Sequence, residues 1–301
     1  MRVTNGSGTS SIVTLDGLEV TGVAVAGHWS CIAVKSVGVL FDCGTLFDTA
    51  LGCDVVLVSH GHADHVAALP LHARVRHMMK MPAPRYFLPP TYHAAFRAYF
   101  RALATMDLGC SHDPGEAAQL AELEATSFQL LAADPGADLV PIGKSRFVRC
   151  YHTVHRVPSV AYCVLEQRKA LKDEYRGKSS LEIRDAVLRR EEVSMTSFHP
   201  LVAYTGDTTI DGVLRHDDLL RAPLLIVECT IWDDALTPDV TKERGHIHLQ
   251  HLNDAADRFA NRSIIVTHCS TRHDAAFMTQ TLAESRFATV TKARGGEVFL
   301  L

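Results

Sequence analysis

The run Ser-His-Gly-His-Ala-Asp-His at residues 59–65 follows directly after the apolar run Val-Val-Leu-Val at residues 55–58. Three imidazoles and one carboxylate thus fall within six consecutive positions, where a buried strand is expected to end in a sharp turn. Borderline-soft divalent metals favour this mixture of imidazole and carboxylate ligands. The stretch therefore predicts a metal site at the C-terminal end of a strand.

The spacing within this run predicts two metal ions. Residues two apart in an extended segment point the same way, so His60 and His62 can reach one ion. The following turn can direct Asp64 and His65 towards a second ion, and Gly61 permits the tight backbone that this arrangement needs.

The composition is that of a soluble globular chain in one large domain or two small ones. The chain has 301 residues, of which 47% are hydrophobic and 21% charged, and its net charge of -4 argues against a generally basic nucleic-acid surface. Its 8 cysteines form no Cys-x-x-Cys pair, which is typical of reduced thiols in a cytoplasmic protein. Residues 1–14 lack an apolar leader segment, and no later run is long enough to span a bilayer. We expect neither a leader nor a membrane anchor.

Further candidate ligands follow other predicted strands. Residues 201–204 lead into Thr-Gly-Asp-Thr-Thr, where Asp207 can bridge two cations with its two oxygens. Residues 224–227 end at Glu228, and residues 264–266 end just before Thr267 and His268. The form of this last strand resembles that of residues 55–60, so we expect two related halves that face one cleft.

Two positions remain open on the residues alone. Either His152 or His155 can complete the shell of the first ion, and their spacing does not choose between them. Asp42, which ends the predicted strand at residues 32–41, is either an ordinary turn residue or a group that orients a metal-bound histidine.

Residues 66–106 form the clearest basic segment, because they contain no Asp or Glu. Six cations are interleaved there with aromatic residues, a pattern that suits a nucleic-acid backbone and its unstacked bases. The alternative is that rings at helical spacing, such as Phe96 and Phe100, belong to the core. The cations of the segment are Arg74, Arg76, Lys80, Arg85, Arg97 and Arg101.

Residues 166–192 form a second charged interval, with 8 Lys or Arg against 7 Asp or Glu. A solvated helix face is the leading explanation on composition, and a projecting substrate-binding arm is the alternative.

Taken together, the ligand run, Asp207 and His268 resemble the metallo-β-lactamase fold, whose His-x-His-x-Asp-His turn is its most specific mark. Within that superfamily the chain resembles the tRNase Z family, the 3′-processing endoribonucleases of precursor tRNA, most closely their short, plant-type form. The resemblance covers nearly the whole chain. Its other carriers are His155-Arg-Val-Pro-Ser with Tyr162, Ala203-Tyr-Thr-Gly-Asp-Thr-Thr, Glu228-Cys-Thr, Gly245-His-Ile-His-Leu and His268-Cys-Ser-Thr-Arg.

The resemblance implies an α/β fold, a four-layer αβ/βα sandwich over residues 1–301 with a small inserted arm. It implies two zinc ions, one held by His60, His62 and His155 and the other by Asp64, His65 and His268, with Asp207 between them. Through the family pattern, Asp64 would also hold or accept the proton of the attacking water. His246, paired with Glu228, would protonate the leaving oxygen. His248 is expected to pack or to support the site.

The resemblance also implies a substrate and partners. The substrate would be precursor tRNA, cut by zinc-dependent phosphodiester hydrolysis so that the tRNA keeps a 3′ hydroxyl. Residues 166–192 would be a reduced arm that grips the tRNA, and the protein would be a homodimer. The chain departs from the family pattern at Ala67, Ala68, Ala161 and His273, on the backbone or substrate side of the site.

Two other functions compete with this interpretation. A phosphodiesterase or thioesterase for small molecules would use the same metal ligands, although a thioesterase needs no basic segment and no arm. A catalytically silent RNA-binding or assembly subunit belongs to another class, and such relatives usually lose ligands that this chain keeps.

Overall fold

The computed structural model describes residues 2–4, 10–14, 16–109 and 114–301. Cys110, Asp113 and part of the opening segment lie outside the described residues. Within the described ranges, no helix is both long and apolar enough to cross a membrane.

The first half of the chain forms an eight-stranded sheet in which the strands lie in sequence order. Strands β1 to β5 are antiparallel neighbours, and β5 to β8 are parallel. The strands are β1 Arg2–Thr4, β2 Ser10–Val13, β3 Glu19–Val25, β4 Trp29–Val34, β5 Val39–Phe41, β6 Val55–Leu57, β7 Arg85–Leu88 and β8 Gln129–Ala132.

The second half forms a seven-stranded sheet in the order β15-β14-β13-β12-β11-β10-β9. Its strands β12 to β15 are parallel, and β9 to β12 are antiparallel. The strands are β9 Val140–Pro141, β10 Arg146–His152, β11 Val160–Leu171, β12 Ser194–Tyr204, β13 Leu224–Glu228, β14 Ser263–Thr267 and β15 Glu297–Leu300.

Helices cover the outer face of each sheet. Helices α1 to α5 belong to the first half and are Asp48–Leu51, Ala63–Val66, Leu69–Met78, His93–Leu108 and Pro114–Ser127. Helices α6 to α12 belong to the second half and are Ser180–Leu188, Ile210–Leu214, Asp217–Arg221, Pro238–Glu243, Leu249–Asp254, Ala275–Glu284 and Arg286–Ala293. Short 3₁₀ turns lie at Pro90–Tyr92, Asp173–Tyr175 and Ala256–Arg258.

The apolar run at residues 55–58 shows why the layers stack as they do. Successive strand residues point to opposite faces, so Val55 and Leu57 enter the core between the two sheets. Val56 and Val58 enter the core between the first sheet and its helices. A third core fills the space between the second sheet and its helices. Because side chains of this one strand pack into two cores, every residue of the run is apolar. The two sheets and their outer helices form the predicted four-layer αβ/βα sandwich, which is confirmed.

The loops that carry the candidate ligands lie at one edge of the two sheets. Strands β6 and β14, whose sequences are similar, belong to different sheets and each ends just before a candidate histidine. The sheets are joined near this edge, where the Tyr162 hydroxyl donates to the Val58 carbonyl at 2.6 Å. The predicted pair of halves facing one cleft is therefore observed.

Several predicted boundaries were wrong. The strand expected at residues 32–41 is divided by a turn at Lys35–Gly38, where Gly38 has a φ of 79°. Apolar composition alone did not reveal this turn because Val37 is itself buried. The helical spacing of residues 66–79 predicts one helix, but this range contains only the last residue of α2 and then α3, with Ala67 and Ala68 between them.

Most cations of the basic segment at residues 66–106 have partners within the fold, and the expected role of the segment in nucleic-acid contact stays a prediction. Arg97 and Arg101 both pair with Glu124 of α5, and Arg74 pairs with Asp107. Arg76 is buried and donates to backbone carbonyls. Phe96 and Phe100 belong to the core, as the alternative interpretation held. The acidic partners lie outside the segment, so a local charge count could not reveal them.

Residues 166–192 extend a hairpin formed by β11 and β12. Beyond Leu165 the strand residues become partly or fully exposed, and α6 lies within the segment. The expected solvated helix is observed as α6, but the hairpin of β11 and β12 that carries α6 was not expected. Five of the eight cations pair with carboxylates of the same segment, as Arg168–Glu166, Lys172–Glu192, Arg176–Asp173, Arg184–Asp185 and Arg189–Glu191. The role of the segment as an RNA-binding arm stays a prediction.

Candidate metal centre

The fold brings the seven predicted metal ligands together at the cleft between the sheets. The loop after β6 and the start of α2 supply four of them, and the loops after β10, β12 and β14 supply one each. Their donor atoms form two groups in which all atoms lie within 4.8 Å of one another. The first group is His60, His62, His155 and Asp207, and the second is Asp64, His65 and His268.

The distances between donor atoms match the edges of two coordination shells. A tetrahedral ion with ligands at about 2.0–2.1 Å separates its donor atoms by roughly 3.3 Å. In the first group, His60 Nε2 lies 2.9 Å from His62 Nδ1 and 3.7 Å from Asp207 Oδ2, and His62 Nδ1 lies 3.4 Å from His155 Nε2. In the second group, Asp64 Oδ2 lies 3.5 Å from both His65 Nε2 and His268 Nε2.

Asp207 lies between the two groups. Its Oδ2 is 3.2 Å from His268 Nε2 and 3.7 Å from His60 Nε2, and its Oδ1 is 3.5 Å from His65 Nε2. The carboxylate is almost fully buried and therefore needs compensation for its lost hydration. This position suits a carboxylate that bridges two cations.

The buried polar atoms at the centre fit a bound metal. Among the described residues, His65 Nε2, His268 Nε2 and Asp207 Oδ1 are buried and have no hydrogen-bond partner. Buried polar atoms without a partner are costly, and in native proteins nearly all are satisfied by hydrogen bonds or by ions. Because the three atoms point at one another, two divalent cations would satisfy all of them at once.

Asp42 orients the imidazole of His65. Its Oδ2 accepts from His65 Nδ1 at 2.7 Å and from the Tyr204 hydroxyl at 2.6 Å, and its Oδ1 accepts from the Ser59 backbone amide at 2.7 Å. This arrangement fixes the tautomer of His65 so that Nε2 faces the cleft. Asp42 is completely buried and adopts a left-handed φ of 54°. These contacts favour the orienting role over that of an ordinary turn residue.

Asp64 is held in place by the backbone on both sides. The Gly27 amide in the β3–β4 turn donates to Asp64 Oδ2 at 2.9 Å. A Cβ at Gly44 would lie 1.7 Å from the Asp64 carbonyl oxygen, so only glycine fits there. Two loops outside the ligand run therefore position this carboxylate.

The protonation states of three candidate ligands, His60, His62 and His155, agree with metal binding. Burial, with the charge of neighbouring histidines, lowers the pKa of His60, and burial also lowers the pKa values of His62 and His155. These imidazoles are therefore neutral at pH 7, as metal ligation requires. Burial alone would raise the pKa of Asp207, but His268 and His65 outweigh it and hold that pKa well below its usual range.

Two histidines of the cleft have a raised pKa: His65, beside Asp207 and Asp42, and His246, which is not among the predicted metal ligands. Burial alone would lower the pKa of His246, but the Glu228 carboxylate at 3.1 Å from Nδ1 outweighs burial and raises the pKa to about 9. An imidazole nitrogen that carries a proton cannot bind a metal, but it can donate that proton. His246 also lies with Asp207 and His268 in a third group of nearby donor atoms, with its ring 5.5 Å from that of His268.

Glu228 is fixed by a network that reaches two loops. It accepts from the Thr208 amide at 2.8 Å, from the Thr230 hydroxyl at 2.7 Å and from the Ile247 amide at 3.2 Å. The Thr230 hydroxyl also lies 3.1 Å from His268 Nδ1. Sequence reasoning did not assign Thr230 a role, although it follows Glu228 by two positions and belongs to a quoted motif.

The structure distinguishes the histidines that spacing left open. His155 Nδ1 bonds the Gly245 carbonyl at 2.8 Å, which turns Nε2 towards His62, whereas His152 is exposed. His248 caps the N-terminus of α10 by accepting from the Gln250 amide at 3.0 Å, which agrees with its expected structural role.

Comparisons with known proteins connect this geometry to a family. No protein-family model matches the chain. The metallo-β-lactamase fold protein YhfI from Bacillus subtilis matches 94% of this chain and 95% of its own with a TM-score of 0.59 and 17% identity. Human tRNase Z, short form, gives the same coverages with a TM-score of 0.54 and 18% identity. These two similarities establish the metallo-β-lactamase fold.

The sequence similarity is more specific. The tRNase Z TRZ1 of Arabidopsis thaliana is 30% identical over 261 residues, which cover 86% of this chain and 88% of the relative. The aligned region is long enough to include parts of both halves of the fold. The chain belongs to the tRNase Z family of metallo-β-lactamase-fold hydrolases.

Proposed function

We propose that this protein is the endoribonuclease that removes the 3′ trailer from precursor tRNA by two-metal hydrolysis of one phosphodiester. The observation that carries the proposal is the pair of donor groups that share Asp207 in a chain of the tRNase Z family. An enzyme that has lost its activity would not need to retain both groups and the buried Asp42 support.

Zinc is the metal that we propose for both positions. Five imidazoles and two carboxylates make up the candidate ligands, and zinc commonly binds such nitrogen and oxygen donors with open positions for water and substrate. When bound, the two ions would lower the pKa of a water to about neutrality and polarise a phosphoryl oxygen.

The chain's own residues would hold and move the protons. Asp64 Oδ2 faces the cleft and can hold the proton of the attacking water. His246, kept protonated by Glu228, donates its proton to the departing ribose 3′ oxygen. An aligned acid of this kind typically contributes about a hundred- to ten-thousand-fold to the rate. The products are a tRNA with a free 3′ hydroxyl and a trailer with a 5′ phosphate.

Two further features belong to this proposal, a homodimer in the cytoplasm and an RNA-gripping arm at residues 166–192. Exposed apolar side chains on α3, Leu71 and Met78, together with neighbouring Met79, support a subunit interface there. Light scattering of the purified protein measures the subunit number, and a monomer would refute this part.

The test is cleavage of a 3′-labelled precursor tRNA with and without chelator, beside Asp64→Ala and a small phosphodiester. We expect cutting just after the discriminator base that is lost with chelator and with Asp64→Ala. Metal analysis of the same preparation identifies the ions. Turnover of only the small diester would transfer the function to a phosphodiesterase and refute the tRNA assignment.

A further inference from the structure

Three arginines surround a cavity that adjoins His246. The cavity has a volume of about 280 Å³ and is lined by Arg156, Arg244 and Arg272 together with His246 and the hydroxyl residues Thr230 and Ser270. None of the predicted metal ligands lines the cavity, although Thr230 of its lining lies 3.1 Å from His268 Nδ1.

The three arginines differ from most others in the described chain because they carry free charge. All three are exposed, and within the described ranges none forms an ion pair or a side-chain hydrogen bond. In the basic segment, in contrast, the arginines pair with Glu124 and Asp107 or donate to backbone carbonyls. Three unpaired guanidinium groups around one cavity repel one another, which an anion would relieve.

The fold fixes the loops that carry these arginines. Arg244 ends α9 beside Gly245, whose φ is 84° and whose Cβ position would lie 3.1 Å from the Arg156 backbone nitrogen. Only glycine allows the two loops to approach so closely. The loop of Arg272 is joined to that of Arg244 through Thr230, whose carbonyl accepts from the Ser270 amide at 3.0 Å and whose amide donates to the Ile247 carbonyl at 3.0 Å. The arginines therefore project from a preformed rim.

We propose that Arg156, Arg244 and Arg272 bind a backbone phosphate, the one on the 5′ side of the nucleotide whose 3′ oxygen leaves. This inference rests on the proposed role of His246 for its direction. His246 delivers its proton to that 3′ oxygen, so the nucleotide that carries it lies on the His246 side of the cleaved bond. Its 5′ phosphate is the next charge on that side, and arginine binds phosphate oxygens with paired donors.

Binding of a minimal ligand tests the site without requiring tRNA. The probes are the dinucleotides ApA and pApA, which differ only in the 5′ phosphate. Calorimetry on metal-loaded protein measures the affinity for each probe, and chromatography verifies that both stay intact. We expect pApA to bind at least about tenfold more tightly than ApA, the usual effect of a hydrogen bond to a charged group.

The variants are Arg244→Gln, Arg272→Gln and their combination, with Arg215→Gln as the matched control. Arg215 is exposed and likewise lacks an ion pair within the described ranges, but it lies outside the cavity. Each cavity variant should reduce the preference for pApA and the double variant should reduce it further, with ApA binding unchanged as a check on folding. Arg215→Gln should retain the full preference. Equal binding of both probes by the wild type, or an undiminished preference in the double variant, would overturn the proposal.

The same variants with precursor tRNA separate this site from the enzyme's overall function. A neutral methylphosphonate on the 5′ side of the last retained nucleotide should slow the wild type at least about tenfold and the double variant far less. A methylphosphonate one linkage into the trailer should slow both equally. Equal slowing by the first linkage would overturn the subsite. A wild type that prefers pApA but leaves precursor tRNA uncut would retain the subsite and refute the proposed function instead.

Discussion

Replacing Glu228 with Gln tests whether this carboxylate keeps His246 protonated for catalysis. The pKa of His246 is raised from 6.5 to about 9. Burial lowers this pKa, but the Glu228 carboxylate raises it by more. Glutamine keeps the shape and one acceptor oxygen but removes the charge. Because the folded-state pKa is raised, the acid form persists up to about pH 9 in the wild type and is lost as the pH rises further.

The size of the effect follows from these two pKa values. At pH 8 a group with a pKa of about 9 is about nine-tenths protonated, whereas one with a pKa of 6.5 is only about one-thirtieth protonated. Because burial still lowers the pKa of His246 once the charge is gone, Glu228→Gln should slow cleavage of RNA by at least about thirtyfold at pH 8, and much less at pH 6. The alkaline limb of the kcat profile should move down by at least about 2.5 pH units.

The assay compares two leaving groups over a range of pH. An RNA 3′ oxygen needs a proton as it leaves, whereas the nitrophenolate of bis(4-nitrophenyl) phosphate does not. The loss should therefore appear with RNA and be much smaller with the nitrophenyl diester. Thr230→Val is a useful control because it removes a hydrogen bond to Glu228 but keeps the charge. Equal losses on both substrates, or an unmoved alkaline limb, would refute the role assigned to the pair.

Three further predictions concern the metal centre. His246→Ala should keep both metals but reduce RNA turnover about a hundred- to ten-thousand-fold, as measured by metal analysis beside kinetics. Loss of metal in this variant would show instead that His246 is a metal ligand. Asp42→Asn should weaken metal binding about 10- to 100-fold in a chelator competition, because His65 loses its orienting carboxylate, and unchanged affinity would contradict that role. Gly44→Ala should lower the free energy of unfolding in urea by about 1–3 kcal/mol, since its Cβ meets the Asp64 carbonyl, and wild-type stability would disprove the clash.

The sequence predicted the layer architecture and the candidate ligands because both depend on local patterns. The run at residues 55–58 is apolar on both faces, and the ligands follow directly after strands. The choice of His155 over His152 came from family likeness, and its physical reason is a contact with Gly245 that lies 90 residues away in the chain. Spacing cannot reveal such a contact.

The charge of the surface was predicted less well for the same reason. The basic segment appeared free because its partners Asp107 and Glu124 follow after it in the sequence. The unpaired arginines that line the cavity beside His246 come from three separate loops, at Arg156, Arg244 and Arg272. No window of sequence contains them together, so their common cavity is visible only in three dimensions.

Each candidate metal position takes ligands from both halves of the chain, so metal binding there would depend on how the two sheets pack together. The first donor group takes His60 and His62 from the first half of the chain, and it takes His155 and Asp207 from the second. The second group is completed by a histidine of the second half as well. An ion can therefore be fully enclosed only after both halves have folded and docked in register, so metal affinity would report on the packing of the sheets as well as on the ligands. Each ion, when bound, would therefore link the two halves of the sandwich only if they have docked correctly.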